Sequence, residues 1–181
     1  ETTLEQAAAD LVHLSAGAVR LVRASGLYVT EPVGGPADQP DYINAILEVR
    51  TSLGPYALLA LCQQVEAHHH RVRLVRWGPR TLDIDVITYD DLVSDDLVLT
   101  LPHPRAHERA FVLVPWEQAN PQAVIPSRDA ATGEQTRHLV ADLARRVRAA
   151  DERAGVNAVR FMRDMNLPKN LFDSGAESEG V

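Results

Sequence analysis

The spacing of apolar residues in the first third of the chain predicts a helix followed by two strands. Thr2 or Thr3 begins a capping-box pattern, and the apolar residues after it recur at helical intervals to about Ala16. Residues 19–30 contain three Val residues, a Tyr and a Thr, which favour β-structure. Residues 42–51 alternate between apolar and other side chains, as in a strand with one buried face. We therefore expect one strand in each of these two segments.

The rest of the pattern predicts further helices, with a strand and a short extended segment between them. Residues 55–67 predict a helix that starts with a first-turn proline. Residues 83–89 predict a strand and residues 97–101 a short extended segment. Helical turns are expected within residues 105–118, where a proline should interrupt them, and residues 136–148 predict a further helix. This order predicts an α+β fold: a ferredoxin-like sandwich with a mainly antiparallel sheet and helices packed on it, with the first strand absent from this chain.

Length and composition suit one domain. The chain has 181 residues, of which 45% are hydrophobic, and this is enough to bury a core. We expect an N-terminally truncated domain to span residues 1–150. Residues 151–181 should form a C-terminal extension that is partly disordered, because residues 173–181 are small, polar and acidic.

The charge and the cysteine content narrow the class of protein. A net charge of −7 and a sequence pI near 5.4 argue against general affinity for nucleic acid. The apolar runs are too short for a signal peptide or a membrane span, so we expect a cytoplasmic enzyme with no membrane partner. The single cysteine, Cys62, lies among leucines and a valine in the predicted second helix, so a buried, reduced thiol is expected.

The strongest chemical signal lies in residues 71–86, where four arginines precede a predicted strand with two carboxylates. Residues i and i+2 of a strand share a face, so Asp83 and Asp85 should project side by side while their apolar neighbours are buried. Two adjacent negative charges repel unless a cation bridges them, and Mg²⁺ with oxygen ligands is the natural candidate. Guanidinium groups bind phosphate oxygens. The segment therefore carries the residue types that handle a nucleoside triphosphate.

Three motifs occur in order along residues 2–126. They are Thr30-Glu-Pro32 with Tyr42-Ile-Asn44, then Arg-Trp-Gly-Pro-Arg-Thr-Leu-Asp-Ile-Asp at 76–85, then Leu-Pro-His103 with Arg109-Ala-Phe111. Together they resemble the signatures of the 6-hydroxymethyl-7,8-dihydropterin pyrophosphokinase family. That family opens with a strand ending in Gly-Ser-Asn-x-Gly, which these 181 residues do not contain. We therefore expect residues 1–181 alone to be poorly stable and far less active than a chain with that strand restored.

The resemblance implies that an ATP-dependent diphosphotransferase moves pyrophosphate from ATP to the hydroxymethyl group of the pterin, releasing AMP, in folate biosynthesis. It implies two Mg²⁺ ions held by Asp83 and Asp85, with Arg71 and Arg80 as further catalytic residues. ATP, the co-substrate, would be contacted by residues of the second and third motifs and of the helix before them: Glu66, Arg71, Arg73, Trp77, Arg80, Thr100, His103 and Arg109. The pterin oxygen is the nucleophile, so no covalent enzyme intermediate is required.

The resemblance also implies a pterin site. Tyr42 and Phe111 match the two aromatic residues that sandwich the pterin, where stacking contributes roughly 1 kcal/mol each. Asn44, two residues from Tyr42 on one strand face, offers donors and an acceptor to the pterin edge. Thr30 and Pro32 match the adjoining loop contacts, although this loop is one residue longer than the family's pattern.

Three other interpretations compete with this one. The chain could be an inactive or partial fragment of a folate-pathway enzyme, possibly fused to or associated with another such enzyme, and act only as a structural or interaction unit. A ferredoxin-like RNA-binding module is disfavoured by the acidic charge balance and by the lack of paired aromatic residues with basic residues on one strand face. A zinc site at residues 68–70 is disfavoured because three consecutive histidines on a helix cannot all converge on one ion.

Overall fold

The structure of the protein is a computed structural model that describes residues 2–31, 40–69, 82–129, 131–154 and 159–173. Its helices are α1 (Thr3–Leu14), α2 (Pro55–His68), α3 (Ala110–Ala119) and α4 (Val140–Ala154), with 3₁₀ turns at Ala106–Glu108 and Lys169–Leu171. Its strands are β1 (Val19–Ala24), β2 (Leu27–Thr30), β3 (Tyr42–Asn44), β4 (Leu47–Thr51), β5 (Ser94–Asp95), β6 (Thr100–Leu101), β7 (Val124–Arg128), β8 (Gln135–Leu139) and β9 (Arg160–Arg163).

The strands form small antiparallel sheets, and this confirms the predicted α+β class. β1 pairs with β4, β2 lies between β3 and β9, β5 pairs with β6, and β7 pairs with β8. Helices α1 and α2 pack together over one apolar cluster that includes Leu11, Leu61 and Val65. Helices α3 and α4 pack over a second cluster with β7. Within the described ranges, no helix is long and apolar enough to cross a bilayer.

The first two helices begin where the sequence predicts. The Thr2 hydroxyl accepts a hydrogen bond from the Glu5 N–H at 3.3 Å, and the Glu5 carboxylate accepts one from the Thr2 N–H at 2.7 Å. These two bonds form the predicted capping box and satisfy donors that a helix start leaves unpaired. Helix α2 follows Gly54 with Pro55 in its first turn and carries Cys62, which is buried and unpaired with another cysteine as predicted.

The prediction of one continuous strand in residues 19–30 and another in residues 42–51 is wrong. The first segment is interrupted at residues 25–26 and the second at residues 45–46, and these two interruptions are hydrogen-bonded to each other. The Ser25 N–H donates to the Ile46 carbonyl at 2.9 Å, and the Ile46 N–H donates to the Ser25 hydroxyl at 2.8 Å. The Gly26 N–H donates to the Gln118 side chain at 2.7 Å. A Cβ at Gly26 would lie 2.5 Å from the Phe161 ring, so only glycine fits there. These contacts replace ladder bonds and split each segment into two strands.

The strand predicted for residues 83–89 is not observed, although the alternation of burial that it implies is present in residues 82–86. Leu82 is buried and Ile84 is half-buried against the α1–α2 cluster, whereas Asp83 and Asp85 are exposed. No strand is assigned to residues 82–89. Part of the reason is that the Ile84 N–H donates to a side chain, the Glu66 carboxylate, instead of to a neighbouring strand.

Helix α3 contains Pro115 without interruption, contrary to the prediction that the proline would break it. A proline in a helix removes one hydrogen bond to the carbonyl four residues earlier, which here belongs to Phe111. The Pro115 side chain is fully buried, and residues Val112 to Trp116 are buried with it. Packing of this apolar run therefore holds the helix together despite the lost hydrogen bond.

The helix predicted for residues 136–148 begins four residues later than expected. Residues 135–139 form β8, in which Thr136 lies opposite Ser127 and His138 lies opposite Ile125. The Ser127 hydroxyl lies 2.6 Å from the Thr136 hydroxyl and 3.0 Å from Nε2 of His138. Cross-strand pairing with β7 therefore overrides the helical spacing of the leucines, and α4 starts at Val140.

The C-terminal described segment packs onto the rest of the fold. β9 pairs with β2, Leu171 is buried, and the Asp173 N–H donates to the Leu21 carbonyl at 2.7 Å. Arg163 of β9 also reaches Glu5 of α1, with Nη1 to Oε1 at 2.7 Å. The boundary between residues 1–150 and 151–181 stays a prediction, and the tail predicted to be disordered lies outside the described residues from 174 onward.

Candidate active site

Five of the residues predicted to form the site lie outside the described residues, so the structure does not test them: Pro32, Arg71, Arg73, Trp77 and Arg80. His70 of the histidine run also lies outside the described residues. The remaining predicted site residues occupy three neighbourhoods: the segment that carries the carboxylates, the β2–β3 hairpin, and the start of α3.

Asp83 and Asp85 both face solvent from one side of their segment. The apolar residues Leu82, Ile84 and Val86 pack on the opposite side against α1 and α2. Because this packing fixes the segment on a rigid helical layer, the two carboxylates are held at its surface with the alternation that the sequence predicts.

The donor set at this position fits Mg²⁺. Carboxylate oxygens are hard ligands, and Mg²⁺ is typically held by one or two carboxylates together with waters and substrate phosphate oxygens. Among the described residues, no group of three or more His, Cys, Asp and Glu side chains could hold a metal ion by itself. His68 and His69 instead face Asp10, with His69 Nε2 at 2.9 Å from Oδ2. The carboxylates of Asp83 and Asp85 have the oxygen donors that such a metal ion takes.

Glu66 lies directly behind the two aspartates. It sits in the last turns of α2, is 2% exposed, and accepts a hydrogen bond from the Ile84 N–H at 2.8 Å. Its predicted contact with ATP stays a prediction. The contact that sequence reasoning missed is this one to the main chain between Asp83 and Asp85. The signal was the position of Glu66 beside Val65 and four residues after Cys62, on the buried face of α2.

Cys62 lies on α2 near Glu66, and its thiol has a raised pKa. Burial above all, together with the nearby charges of Glu66 and Asp85, raises the pKa of the Cys62 thiol to about 12. A thiol with so high a pKa stays protonated at neutral pH and is a poor nucleophile. Cys62 therefore acts as a core residue.

Two predicted pterin residues on the β2–β3 hairpin contact each other. The Asn44 side-chain amide donates to the Thr30 hydroxyl at 2.9 Å, and Thr30 is buried. Tyr42 pairs with Thr30 in the ladder and is 44% exposed. The Thr30 contact engages the Asn44 nitrogen, and the amide oxygen is the group that could accept a hydrogen bond from a bound molecule.

Arg109 and Phe111 lie together at the start of α3. The Arg109 guanidinium carbon is 5.4 Å from the centroid of the Phe111 ring, a distance typical of a cation–π contact. The resemblance assigned Arg109 to ATP phosphates and Phe111 to the pterin. The structure thus brings together one residue predicted for each substrate, a contact that sequence reasoning did not anticipate.

The third motif connects to the carboxylate segment through its main chain. The His103 N–H donates to the Ile87 carbonyl at 2.8 Å, which ties this motif to the residues just after Asp85. His103 Nδ1 lies 3.3 Å from the Arg105 nitrogen and accepts its hydrogen bond. The Thr100 hydroxyl donates to the Asp96 carbonyl at 2.9 Å within its own hairpin. The predicted ATP contacts of Thr100 and His103 stay predictions.

Comparison with known proteins identifies the same family that the three sequence motifs resemble. The sequence model of the family described as 7,8-dihydro-6-hydroxymethylpterin-pyrophosphokinase (HPPK) matches residues 1–121. The 2-amino-4-hydroxy-6-hydroxymethyldihydropteridine pyrophosphokinase of Bacillus subtilis is 42% identical over 135 residues, covering 75% of this chain and 79% of that protein. The protein of that name in Haemophilus influenzae is 40% identical over 132 residues, covering 72% and 82%. The folic acid synthesis protein fol1 of Schizosaccharomyces pombe is 31% identical over 172 residues, which are 95% of this chain and 23% of that protein.

Proposed function

We infer that this chain, which belongs to the 7,8-dihydro-6-hydroxymethylpterin-pyrophosphokinase family, transfers pyrophosphate from ATP to the hydroxymethyl group of 6-hydroxymethyl-7,8-dihydropterin. AMP is released, and the product serves folate biosynthesis. The observation that carries this conclusion is the family match over residues 1–121, a range that includes every predicted site residue.

The reaction needs positioning and charge stabilisation more than covalent chemistry. The pterin hydroxymethyl oxygen attacks the β-phosphorus of ATP and loses its proton, the bond from that phosphorus to the bridging oxygen on the α-phosphorus breaks, and AMP leaves. Asp83 and Asp85 would hold two Mg²⁺ ions, which supply charge neutralisation and orientation of the triphosphate when bound. The exposure of both carboxylates on one side of a packed segment supports this assignment.

We assign the remaining ATP contacts from the family motifs. Arg71 and Arg80 would be catalytic residues that bind the transferring phosphates, because guanidinium groups match phosphate oxygens. The further ATP-binding residues would be Arg73, Trp77, Thr100, His103 and Arg109. The link between His103 and the Ile87 carbonyl supports a single phosphate region, since it joins the third motif to the carboxylate segment.

The pterin would bind between Tyr42 and Phe111, with Asn44 at its edge and Thr30 and Pro32 beside it. The exposure of Tyr42 supports this assignment, because 44% of the residue's surface is accessible to solvent at the end of the hairpin. The contact between Asn44 and Thr30 supports it too, since it fixes the orientation of an amide whose oxygen could accept a hydrogen bond from the pterin edge.

Several finer features belong to the same proposal. The fold would be a ferredoxin-like sandwich, which the packing of α1 on α2 beside the β1–β4 pair supports. Fusion to, or association with, another folate-pathway enzyme is supported by the fol1 relative, of which this chain covers 23%. A cytoplasmic location stays a prediction from the sequence.

The direct test of this function is product analysis. The chain is incubated with Mg²⁺, ATP and 6-hydroxymethyl-7,8-dihydropterin, and nucleotides are separated by chromatography. AMP should appear only when the pterin is present, in amounts equal to the pterin consumed. ADP as the main product would indicate transfer of a single phosphoryl group. Absence of any product from a folded chain would favour the inactive-fragment interpretation.

Replacing Tyr42 by Ala should weaken pterin binding about fivefold to tenfold, because one stacking face is worth roughly 1 kcal/mol. Calorimetric titration with pterin in the presence of an uncleavable ATP analogue measures the effect. Tyr56→Ala is the matched control, since Tyr56 is 50% exposed on α2 and lies outside all three motifs. Equal pterin affinity in Tyr42→Ala and the wild type would remove Tyr42 from the pterin site.

Replacing Arg71 by Ala should lower turnover far more than it weakens ATP binding. The resemblance makes Arg71 one of the arginines that act after both substrates are bound, so its interaction is realised mainly in the transition state. Steady-state kinetics together with the ATP dissociation constant separate the two effects, and Arg20→Ala, an exposed arginine of β1, is the control. Equal losses in both quantities would indicate uniform binding and contradict this assignment.

A further inference from the structure

The main chain between the two predicted metal ligands is held by one buried side chain. The Ile84 N–H belongs to the peptide that joins Asp83 to Ile84, and it donates to Glu66 Oε1 at 2.8 Å. A hydrogen bond at this distance fixes the plane of that peptide. Asp83 directly precedes this peptide and Asp85 directly follows Ile84, so the held peptide lies between the two carboxylate-bearing residues.

This hydrogen bond takes the place of a strand neighbour. In the part of the chain that the structure describes, residues 82–89 are in no ladder, whereas Ile84 would donate to a neighbouring carbonyl in an ordinary sheet. Glu66 therefore supplies an acceptor that the sheet does not supply here. Removing that acceptor would leave the Ile84 N–H to seek water or a new partner, and the segment would lose its fixed peptide plane.

Glu66 is itself a rigid support. It is 2% exposed, and its neighbours Cys62 and Val65 on α2 are buried in the cluster that also contains Leu82. Ile84 packs on the same cluster. Because the donor and the acceptor are anchored to one packed layer, the length of the Glu66 side chain sets where the Asp83–Asp85 main chain lies.

We propose that Glu66 is a positioning residue that sets the spacing of the Asp83 and Asp85 carboxylates through the Ile84 N–H. This inference rests on the proposed function, because it takes the two aspartates as the metal ligands. Residues that orient metal ligands without touching the metal change metal affinity by about tenfold to a hundredfold when they are lost. The assignment differs from a direct nucleotide contact, in which the charge of Glu66 would matter and its reach to Ile84 would not.

Two conservative variants of Glu66 separate the effect of side-chain length from the effect of side-chain charge. Glu66→Asp keeps the negative charge but shortens the side chain by one methylene, which withdraws the acceptor from Ile84. Glu66→Gln removes the charge but keeps an oxygen acceptor at the same reach. Gln63→Asn is the matched control, because it shortens an exposed α2 side chain by the same methylene. Both Glu66 variants retain polar side chains of similar size, and thermal unfolding confirms that each is folded.

The measurement is manganese(II) binding, followed by electron paramagnetic resonance in the presence of α,β-methylene-ATP, an analogue that is not cleaved. Glu66→Asp should weaken manganese binding by about tenfold, whereas Glu66→Gln and Gln63→Asn should stay within about twofold of the wild type. Turnover at saturating ATP should follow the same order, with little change in the KM for pterin. Amide exchange at Ile84, measured by nuclear magnetic resonance, should accelerate only in Glu66→Asp.

Wild-type affinity in Glu66→Asp would overturn the positioning role. A loss in Glu66→Gln equal to or greater than that in Glu66→Asp would also overturn it, since charge and not reach would then be the determinant. These outcomes differ from failure of the proposed function, in which the wild-type protein itself would neither bind manganese with the analogue nor form AMP.

Discussion

Asp83→Ala and Asp85→Ala are each expected to lower turnover by about 10³-fold while the protein stays folded. A bound divalent ion supplies several kcal/mol of charge stabilisation to a transferring phosphate, and a tenfold change in rate corresponds to about 1.4 kcal/mol. Both side chains are exposed, so their removal leaves the apolar packing of Leu82 and Ile84 in place. Steady-state turnover over a range of Mg²⁺ concentrations measures the loss.

The control for these variants is Asp95→Ala, which removes an exposed carboxylate from the short strand β5 and is not itself one of the proposed site residues. It should retain wild-type turnover and the wild-type response to Mg²⁺. The metal assignment would fail if either Asp83→Ala or Asp85→Ala kept near-normal activity, or if Asp95→Ala lost as much activity as they did.

Glu5→Ala is expected to lower the free energy of unfolding by about 3 kcal/mol at neutral pH, because charged hydrogen bonds at a buried site are costly to lose. Glu5 is 1% exposed and joins the start of α1 to the C-terminal segment. Its carboxylate accepts hydrogen bonds from the Arg163 guanidinium at 2.7 Å and the Asn166 N–H at 2.6 Å, in addition to the Thr2 cap. Denaturant unfolding of the variant and the wild type measures the difference.

The Glu5 contribution should depend on pH in a defined direction. The Arg163 guanidinium, together with the Asn166 and Thr2 N–H groups, holds the pKa of Glu5 far below its ordinary value of 4.5. A carboxyl with a lowered pKa in the folded state stabilises fully above the unfolded pKa, and the effect is lost as pH falls through the folded pKa. The gap in unfolding free energy between wild type and Glu5→Ala should therefore be full above about pH 4.5 and narrow below it.

Two arginines of β9, Arg163 and Arg160, allow a matched test of the ion pair between Arg163 and Glu5. Arg163→Ala should destabilise the protein because it leaves the buried Glu5 carboxylate without its cation. Arg160→Ala should change stability little, because its pair with Asp41 is half-exposed on both sides. Similar unfolding curves for the two variants would contradict the account of Glu5 as a buried anchor.

The features that sequence predicts well here are those set by local chemistry. The capping box at Thr2 and Glu5 needs only residues three positions apart, and it appears as predicted. The burial alternation around Asp83 and Asp85 depends on a strand-like period of two, so it holds even where no ladder is assigned. The same motifs carry enough specificity to identify the family, which the match over residues 1–121 confirms.

The features that sequence does not predict depend on distant partners. The break at Ser25 and Gly26 requires the Gln118 side chain, which is 92 positions away along the chain. The strand at residues 135–139 is decided by cross-strand contacts of Ser127, not by the helical spacing of its leucines. The hydrogen bond from the Ile84 N–H to Glu66 becomes visible only when α2 packs beneath Ile84, because the two residues are 18 positions apart along the chain.

The measurement that tests the central claim most directly is phosphorus magnetic resonance of the wild-type reaction with ATP, Mg²⁺ and 6-hydroxymethyl-7,8-dihydropterin. If the chain is a pyrophosphokinase, the three ATP signals should be replaced by the single resonance of AMP and by the two coupled resonances of a diphosphate ester on the pterin. Formation of ADP with a single phosphate ester on the pterin, or an unchanged ATP spectrum from the folded protein, would contradict the account.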